Sequence, residues 1–365
     1  MTMTYYTLGN SGLRVSQLAL GTMTFGTEWG WGADKETARG LVDTYVEAGG
    51  NFFDTADAYT GGTSETWLGE FIAERGLRDK AVISTKFTMN FTPGNPNAGG
   101  NGRKNILRAV EGSLKRLGTD YIDLYILHCW DRLTQPEEVM RTMDDLVRSG
   151  KVRHVGLSDV PAWYASRAQT IAEWRGYEPV SALQLEYSLV ERNIEHEFVP
   201  FGTRHGAGIM VWSPLASGLL SGKYQPSATG AGRLDNLRDS ANPGFQKFTE
   251  RNWKIVAELE QVAQALGRSM AQVAVNWTMT QPGIASVIVG ATKREQLADN
   301  LGSLDFEIPA ELRTRLDAVS APLVPFPYSF FGSEIQGGIT GGETVGDKPS
   351  TYRPDLLMRG SFAGV

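Results

Sequence analysis

The chain has 365 residues, with hydrophobic residues at 41% and charged residues at 21%, which excludes global disorder and a fibrous repeat. Lys plus Arg number 35 against 41 Asp plus Glu, a net charge of −6, so the basic footprint of a nucleic-acid binder is missing. The lone cysteine, Cys129, excludes an intrachain disulfide and fits a reducing compartment.

The first residues carry no basic stretch leading into an apolar one, and no apolar run nears the roughly 20 residues that span a bilayer. A cytoplasmic protein with no membrane partner is the expectation. Leu8-Gly9-Asn10-Ser11-Gly12-Leu13 is a hairpin turn signal. From Leu18 onward, short apolar runs alternate with longer segments of helical period. The runs are Leu18–Gly21, Asn51–Asp54, Ala81–Lys86, Ile122–Leu127, Val152–Leu157, Val180–Leu185, Gly208–Trp212 and Ala285–Val289. Their nearly continuous apolar character suits strands buried on both faces, as in parallel sheets.

Between them, Ala38, Leu41, Val42, Tyr45 and Val46 follow the helical spacing, with Asp34 as N-cap. Ile106, Leu107, Val110, Leu114 and Leu117 do the same. Thr134 and Glu137 bracket Gln135-Pro136, which reads as a capping box with Pro at the first helical position. Gly150 then stops that helix. Residues 321–365 are rich in Gly and Pro, with an aromatic cluster at Phe326, Tyr328, Phe330 and Phe331 and no clear period.

Eight strand–helix units from Leu18 to Leu301 average about 35 residues each, the size of a βαβ repeat. The prediction is an α/β fold, a closed (β/α)8 TIM barrel over residues 1–320, for which about 250 residues is typical. Residues 1–16 form a hairpin plugging its N-terminal mouth. Residues 321–365 form an irregular C-terminal extension on the barrel, either a surface tail or a cover over the active-site mouth. The open doubly wound alternative lacks its Gly-X-Gly-X-X-Gly marker.

Barrel active sites lie at the C-terminal ends of the strands. The runs end at Gly21-Thr22, Asp54, Lys86, His128, Ser158, Gln184 to Glu186, Trp212-Ser213-Pro214 and Gly290. Asp54, Lys86 and His128 come from neighbouring strands, and Tyr59 opens the loop after Asp54. A phenol, with a free pKa near 10, is a poor acid–base group at neutral pH. An ammonium beside it stabilises the phenolate, a carboxylate holds the ammonium, and an imidazole can bond a carbonyl oxygen. Those are the parts for protonating an oxygen while another group attacks its carbon.

Asn51-Phe-Phe-Asp-Thr-Ala-Asp-Ala-Tyr59, Ile83-Ser-Thr-Lys86, Tyr121-Ile-Asp-Leu-Tyr-Ile-Leu-His128, Lys151-Val-Arg-His-Val-Gly-Leu-Ser158 and Trp212-Ser-Pro-Leu-Ala-Ser-Gly-Leu-Leu-Ser-Gly-Lys223 resemble the aldo-keto reductases. The likeness runs from about Leu8 to Val319. Glu186-Tyr-Ser-Leu-Val-Glu-Arg192 is similar to the branch with potassium-channel β subunits and bacterial reductases. The resemblance implies an NADP-dependent oxidoreductase that reduces an aldehyde or ketone to an alcohol. Tyr59 would be the general acid, Asp54 and Lys86 its tuning pair, and His128 would orient the carbonyl.

For the cofactor, the resemblance implies Trp212 stacked on the nicotinamide, with Ser158 and Gln184 on its carboxamide and Gly21, Thr22 and Asp54 nearby. Ser213, Pro214, Leu215, Ser217, Gly218 and Lys223 would wrap the pyrophosphate. Gly290, Thr292, Gln296 and Asn300 would meet the adenosine end.

Two departures stand out. Asp159 replaces a frequent Asn, and Gln296 replaces an Arg that would grip a 2′-phosphate. Arg233 could supply that charge, with Lys293 as a second candidate, so NADP is expected over NAD. Trp29, Trp31, Phe87, Phe91 and Trp130 are expected to wall a pocket for an apolar or cyclic carbonyl compound. Metal-dependent hydrolysis is disfavoured, since His128, His154, His196 and His205 show no ligand spacing. A slow-turnover NADP-binding regulatory subunit stays open as the alternative, as does a homo-oligomer.

Overall fold

Two short strands, β1 (Tyr5–Thr7) and β2 (Arg14–Ser16), pair antiparallel as the turn at Leu8–Leu13 predicts. Eight further strands follow: β3 (Leu18–Gly21), β4 (Phe52–Asp54), β5 (Val82–Phe87), β6 (Ile122–Leu127), β7 (Val152–Ser158), β8 (Val180–Glu186), β9 (Gly208–Trp212) and β10 (Ile284–Val289). They pair parallel in sequence order, and β10 closes on β3 into an eight-stranded barrel. This computed structural model describes residues 3–226, 233–236 and 240–343.

Helices α1 (Lys35–Glu47), α2 (Thr63–Glu74), α3 (Arg103–Leu117), α4 (Pro136–Arg148), α5 (Ala162–Arg175) and α6 (Phe198–His205) link successive strands. A longer connection follows β9 and contains α7 (Arg233–Asn236), α8 (Glu250–Leu266) and α9 (Met270–Met279). After β10 come α10 (Arg294–Leu301) and α11 (Ala310–Ser320). The chain divides into two units, Met1–Pro322 and Leu323–Val365. The described part of the second unit holds α12 (Ser333–Ile339), a helix that the composition of this stretch did not announce.

Asp34 caps α1 as predicted, accepting from Thr37 N at 2.8 Å. The capping box at Thr134 does not form. Asp131 takes the bonds instead, accepting from Leu133 N, Thr134 N and Thr134 Oγ1. Glu137 pairs with Arg167, and Gln135 stands at the N-cap ahead of Pro136. A nearby carboxylate that accepts three bonds outcompetes the local reciprocal pair.

The strands alternate with period two. Ala19, Phe52, Val82, Leu124, Ile126, Ala182, Met210 and Ile288 pack inside the barrel, and Leu8 and Val15 of the hairpin join them. Leu20, Phe53, Ile83, Tyr125, Leu127, Leu157, Leu183 and Val211 pack with the helices. On β5, Ser84 and Lys86 therefore share the inward face with Val82, while Thr85 and Phe87 face outward. Leu8 is completely buried, so the hairpin closes the end of the barrel where the strands begin.

Candidate active site

Inward-facing positions near the ends of β4 and β5 bring Asp54 and Lys86 together. Lys86 Nζ donates to Asp54 Oδ2 at 2.7 Å, to the Thr55 carbonyl at 2.8 Å and to Tyr59 Oη at 3.0 Å. Lys86 is fully buried and Asp54 nearly so. The other oxygen, Asp54 Oδ1, accepts from Ser84 Oγ at 2.7 Å and Gln184 Nε2 at 2.8 Å. The carboxylate is held by three donors and its geometry is locked. Because a carboxylate only accepts, the amide of Gln184 must present its nitrogen here.

Burial alone would push the Lys86 ammonium down, but the Asp54 carboxylate and Tyr59 more than reverse this, and its pKa is raised. Burial pushes the Tyr59 phenol above its ordinary value, while Lys86 pulls it back. The lysine thus moderates the phenol without bringing it below the free value, and the resting Tyr59 is a protonated acid. His128 is pushed down to about 3 by burial and by the Lys86 charge. Its Nδ1 is buried without a hydrogen-bond partner. An orphaned lone pair is less costly than an orphaned N–H, which puts the proton of the neutral ring on Nε2. The His128 and Tyr59 rings meet edge to face at 5.9 Å.

The turn after Tyr59 is strained. Thr60 has φ 49°, unusual for a β-branched residue. Gly61 and Gly62 follow at 65° and 99°. Thr60 Oγ1 anchors the turn to the Phe25 carbonyl at 2.7 Å, and a Cβ on Gly62 would stand 2.6 Å from Arg116 Cδ. Arg116 in turn bonds the buried Glu65 at 2.6 Å. Such strain persists where the surroundings over-determine it.

Aromatic side chains edge the mouth. Trp29, 41% exposed, meets Tyr59 edge to face at 6.5 Å and Trp31 at 5.6 Å. Trp130 packs against Trp163 at 5.6 Å and Tyr164 at 6.4 Å. Phe91 is exposed. Phe87 is a correction: it is fully buried against Tyr125 at 4.9 Å, because its strand position faces the helices. It lines no pocket.

The residues expected around a cofactor fall into several groups. Ser158 and Gln184 are register partners on β7 and β8, and Ser158 Oγ is buried without a hydrogen bond. Trp212 ends β9, and its Nε1 donates to Asp159 Oδ1 at 3.1 Å. Gly21 ends β3, where a Cβ would stand 2.7 Å from Ile288 Cγ2. Thr22 is a second correction. Its hydroxyl lies 2.7 Å from Ser64 Oγ, its N–H bonds the Asp54 carbonyl, and its carbonyl accepts from Ser64 Oγ and Phe25 N. That residue knots β3 to β4 and α2 and has no polar group to spare.

After β9, Ser213, Ala216, Ser217 and Gly218 all have positive φ. The N–H groups of Ala216, Ser217 and Gly218 bond inside the loop, to Ser213 O, Ser213 Oγ and Leu215 O. Pro214 and Leu215 complete this preformed turn. Lys223 returns alongside, its ammonium 2.7 Å from where a Cβ on Gly218 would stand. The side chain of Arg233 lies outside the described residues.

A Cβ on Gly290 would make only ordinary contacts, 3.7 Å from the Gly21 carbonyl and 3.8 Å from Thr24 Cγ2. Gln296 Oε1 accepts from Thr292 N at 2.9 Å, Asn300 is buried, and the N-terminus of α10 has no side-chain cap. A preformed loop with a lysine, an orphaned buried hydroxyl and free helix N–H groups fit a dinucleotide phosphate and its carboxamide.

Ser84, the Asp159–Trp212 bond and the Trp163 shelf escaped the sequence reading. Ser84 had a signal, since it lies two residues before Lys86 and so shares its face. Among the described residues, no group of three His, Cys, Asp or Glu could hold a metal ion, and no helix is long and apolar enough to cross a membrane.

Residues 17–321 match the model of the Aldo/keto reductase family. The chain is 35% identical over 329 residues to a norsolorinic acid reductase of Aspergillus flavus, covering 88% of this chain and 82% of that protein. It is 34% identical over 337 residues to an aryl-alcohol dehydrogenase [NADP(+)] of Phanerodontia chrysosporium, covering 88% and 86%. A probable voltage-gated potassium channel subunit beta of Oryza sativa subsp. japonica is 38% identical over 310 residues, covering 83% and 92%. With the barrel, the buried Lys86–Asp54 pair against Tyr59 and these relatives together, the chain belongs to the aldo/keto reductase family and is an oxidoreductase acting on carbonyl groups.

Proposed function

We propose that the protein is an NADPH-dependent reductase of aryl aldehydes or aryl ketones, with Tyr59 as the general acid. The observation that carries this is the Asp54–Lys86–Tyr59 chain of hydrogen bonds with the neutral His128 ring against it. Tyr59 gives its phenolic proton to the carbonyl oxygen, and the Lys86 ammonium stabilises the phenolate left behind. His128 donates from Nε2 to the same oxygen and fixes its direction. Asp54 keeps Lys86 charged and in place. The bound cofactor supplies hydride to the carbonyl carbon, and the product is the alcohol.

Trp212, Ser158 and Gln184 would hold the nicotinamide end. Lys223 and the Ser213–Gly218 turn would hold the pyrophosphate. Gly290, Thr292, Gln296 and Asn300 would meet the adenosine. Arg233 or Lys293 would meet a 2′-phosphate, because Gln296 carries no charge. Trp29, Trp31 and Trp130 offer flat apolar faces, and one relative is named as an aryl-alcohol dehydrogenase and another as a norsolorinic acid reductase.

The test is NADPH consumption with matched panels of aryl and short aliphatic carbonyl compounds. The aryl panel should be preferred, and the Tyr59→Phe protein should bind NADPH but turn over little. Tight NADPH binding with no turnover on any panel would instead favour a regulatory subunit.

A further inference from the structure

The carboxylates that end β4 and β8 each have a cation. Asp54 pairs with Lys86 at 2.7 Å, and Glu186 pairs with Lys247 at 2.9 Å. Asp159 has none: among the described residues its carboxylate makes no ion pair, and its Oδ1 accepts from the indole N–H of Trp212 at 3.1 Å. The chain bends sharply to put it there. Asp159 has φ 46°, a left-handed conformation that Asp and Asn adopt more readily than other residues with a side chain. Its carbonyl also accepts from Trp130 N at 3.3 Å, so the carboxylate is fixed between the ends of β6, β7 and β9.

The protein around the mouth pushes this carboxyl up to about 6, against the pull of the Trp212 hydrogen bond. It is therefore mostly ionised at neutral pH. An unpaired carboxylate bonded to the edge of an aromatic ring at the mouth of the site favours a ligand with positive charge close to that ring.

We infer that Asp159 discriminates between the two redox forms of the cofactor, binding oxidised nicotinamide more tightly than the same site would with a neutral residue at this position. This rests on the reading of Trp212 as the nicotinamide platform. The oxidised ring carries one positive charge and the reduced ring none, so a fixed negative charge beside it acts on one form only. Relative to Asn at 159, the Asp stabilises the oxidised side of the bound couple, so bound NADPH becomes the stronger hydride donor and the balance shifts toward carbonyl reduction.

Asp159→Asn is a clean probe. Asn keeps the left-handed backbone and an oxygen to accept from Trp212, and removes only the charge. The dissociation constants of NADP+ and NADPH are measured by titration calorimetry without substrate, at neutral pH for the wild type and Asp159→Asn. In Asp159→Asn, NADP+ should weaken about tenfold, the order expected for one close charge in a partly solvated site, while NADPH is unchanged or slightly tighter. In Trp212→Phe, measured beside the wild type at pH 8 so that Asp159 stays ionised without the indole donor, both forms should weaken and the NADP+ to NADPH ratio should stay close to that of the wild type. Equal changes for both forms in Asp159→Asn, or none, would overturn the inference while leaving the nicotinamide site standing. If the wild type bound neither form, the cofactor reading would fall, and the inference with it.

Discussion

At the end where its strands begin, the barrel is filled by Ala19, Phe52, Val82, Leu124 and Ala182, with Leu8 and Val15 of the hairpin pressed in among them. At the other end, the same inward faces carry Asp54, Lys86 and Gln184. Phe52 leads to Asp54 two residues on, Val82 to Ser84 and Lys86, Ala182 to Gln184. The period of two keeps these pairs on one face, so one end is dry and closed while the other buries an ion pair beneath an aromatic mouth. The difference teaches where stability and chemistry are separated: the hairpin end contributes apolar burial, and the loop end carries the cost of buried charge.

The largest expected effect is on the chemical end. Tyr59→Phe should cut turnover by about 10²–10⁴-fold with an unfolding midpoint close to that of the wild type. A variant that turned over normally would remove Tyr59 as the acid, and one that also unfolded early would blur the division between the two ends.

Lys86→Met tests the cost of the buried pair. It leaves the Asp54 carboxylate buried without its cation, which should cost about 3–5 kcal/mol in urea unfolding at neutral pH. Adding Asp54→Asn should recover much of that loss. A single variant as stable as the wild type would show that Ser84 and Gln184 alone suffice to hold the carboxylate.

Leu8→Ala probes the opposite end. Deleting a fully buried leucine should cost about 2–5 kcal/mol, while turnover at a temperature where the protein remains folded stays unchanged. A matching fall in turnover would mean that the two mouths are coupled.

The smallest effect is a pH dependence at His128. Its folded pKa, about 3, lies below the ordinary value of 6.5, so the unfolded chain binds the proton first as the pH drops. The stabilising difference is complete above about pH 6.5 and is lost as the pH falls from there toward 3. Between pH 7 and pH 5 the wild type should therefore lose about 2 kcal/mol more than His128→Gln, measured as paired urea titrations. Parallel losses in both proteins would mean that the ring titrates normally.

Much of this could be read along the chain. The eight apolar runs match the eight barrel strands to within about a residue at most ends, since strands buried on both faces must be apolar nearly throughout. Asp54, Lys86 and His128 were legible as polar groups where such runs stop. The Thr134 capping box was not, because Asp131, outside the motif, takes the hydrogen bonds of Thr134. Phe87 misled because closeness to Lys86 in sequence says nothing of facing, and one step along a strand reverses the side chain.

What the sequence by itself determined is the alternation of strand and helix, the hairpin, and the polar residues that stand where the apolar runs stop, Asp54, Lys86 and His128 among them, all of which follow from local periodicity and short motifs. Only the tertiary structure decided how they act on one another. Closure of β10 on β3 makes the inward faces converge, and that convergence brings Gln184, 130 residues away in the chain, to Asp54. It likewise places Asp159 on the edge of Trp212, with no ion pair among the described residues. The physical reason is that burial and charge pairing depend on which groups meet across the barrel, and no local spacing encodes that meeting.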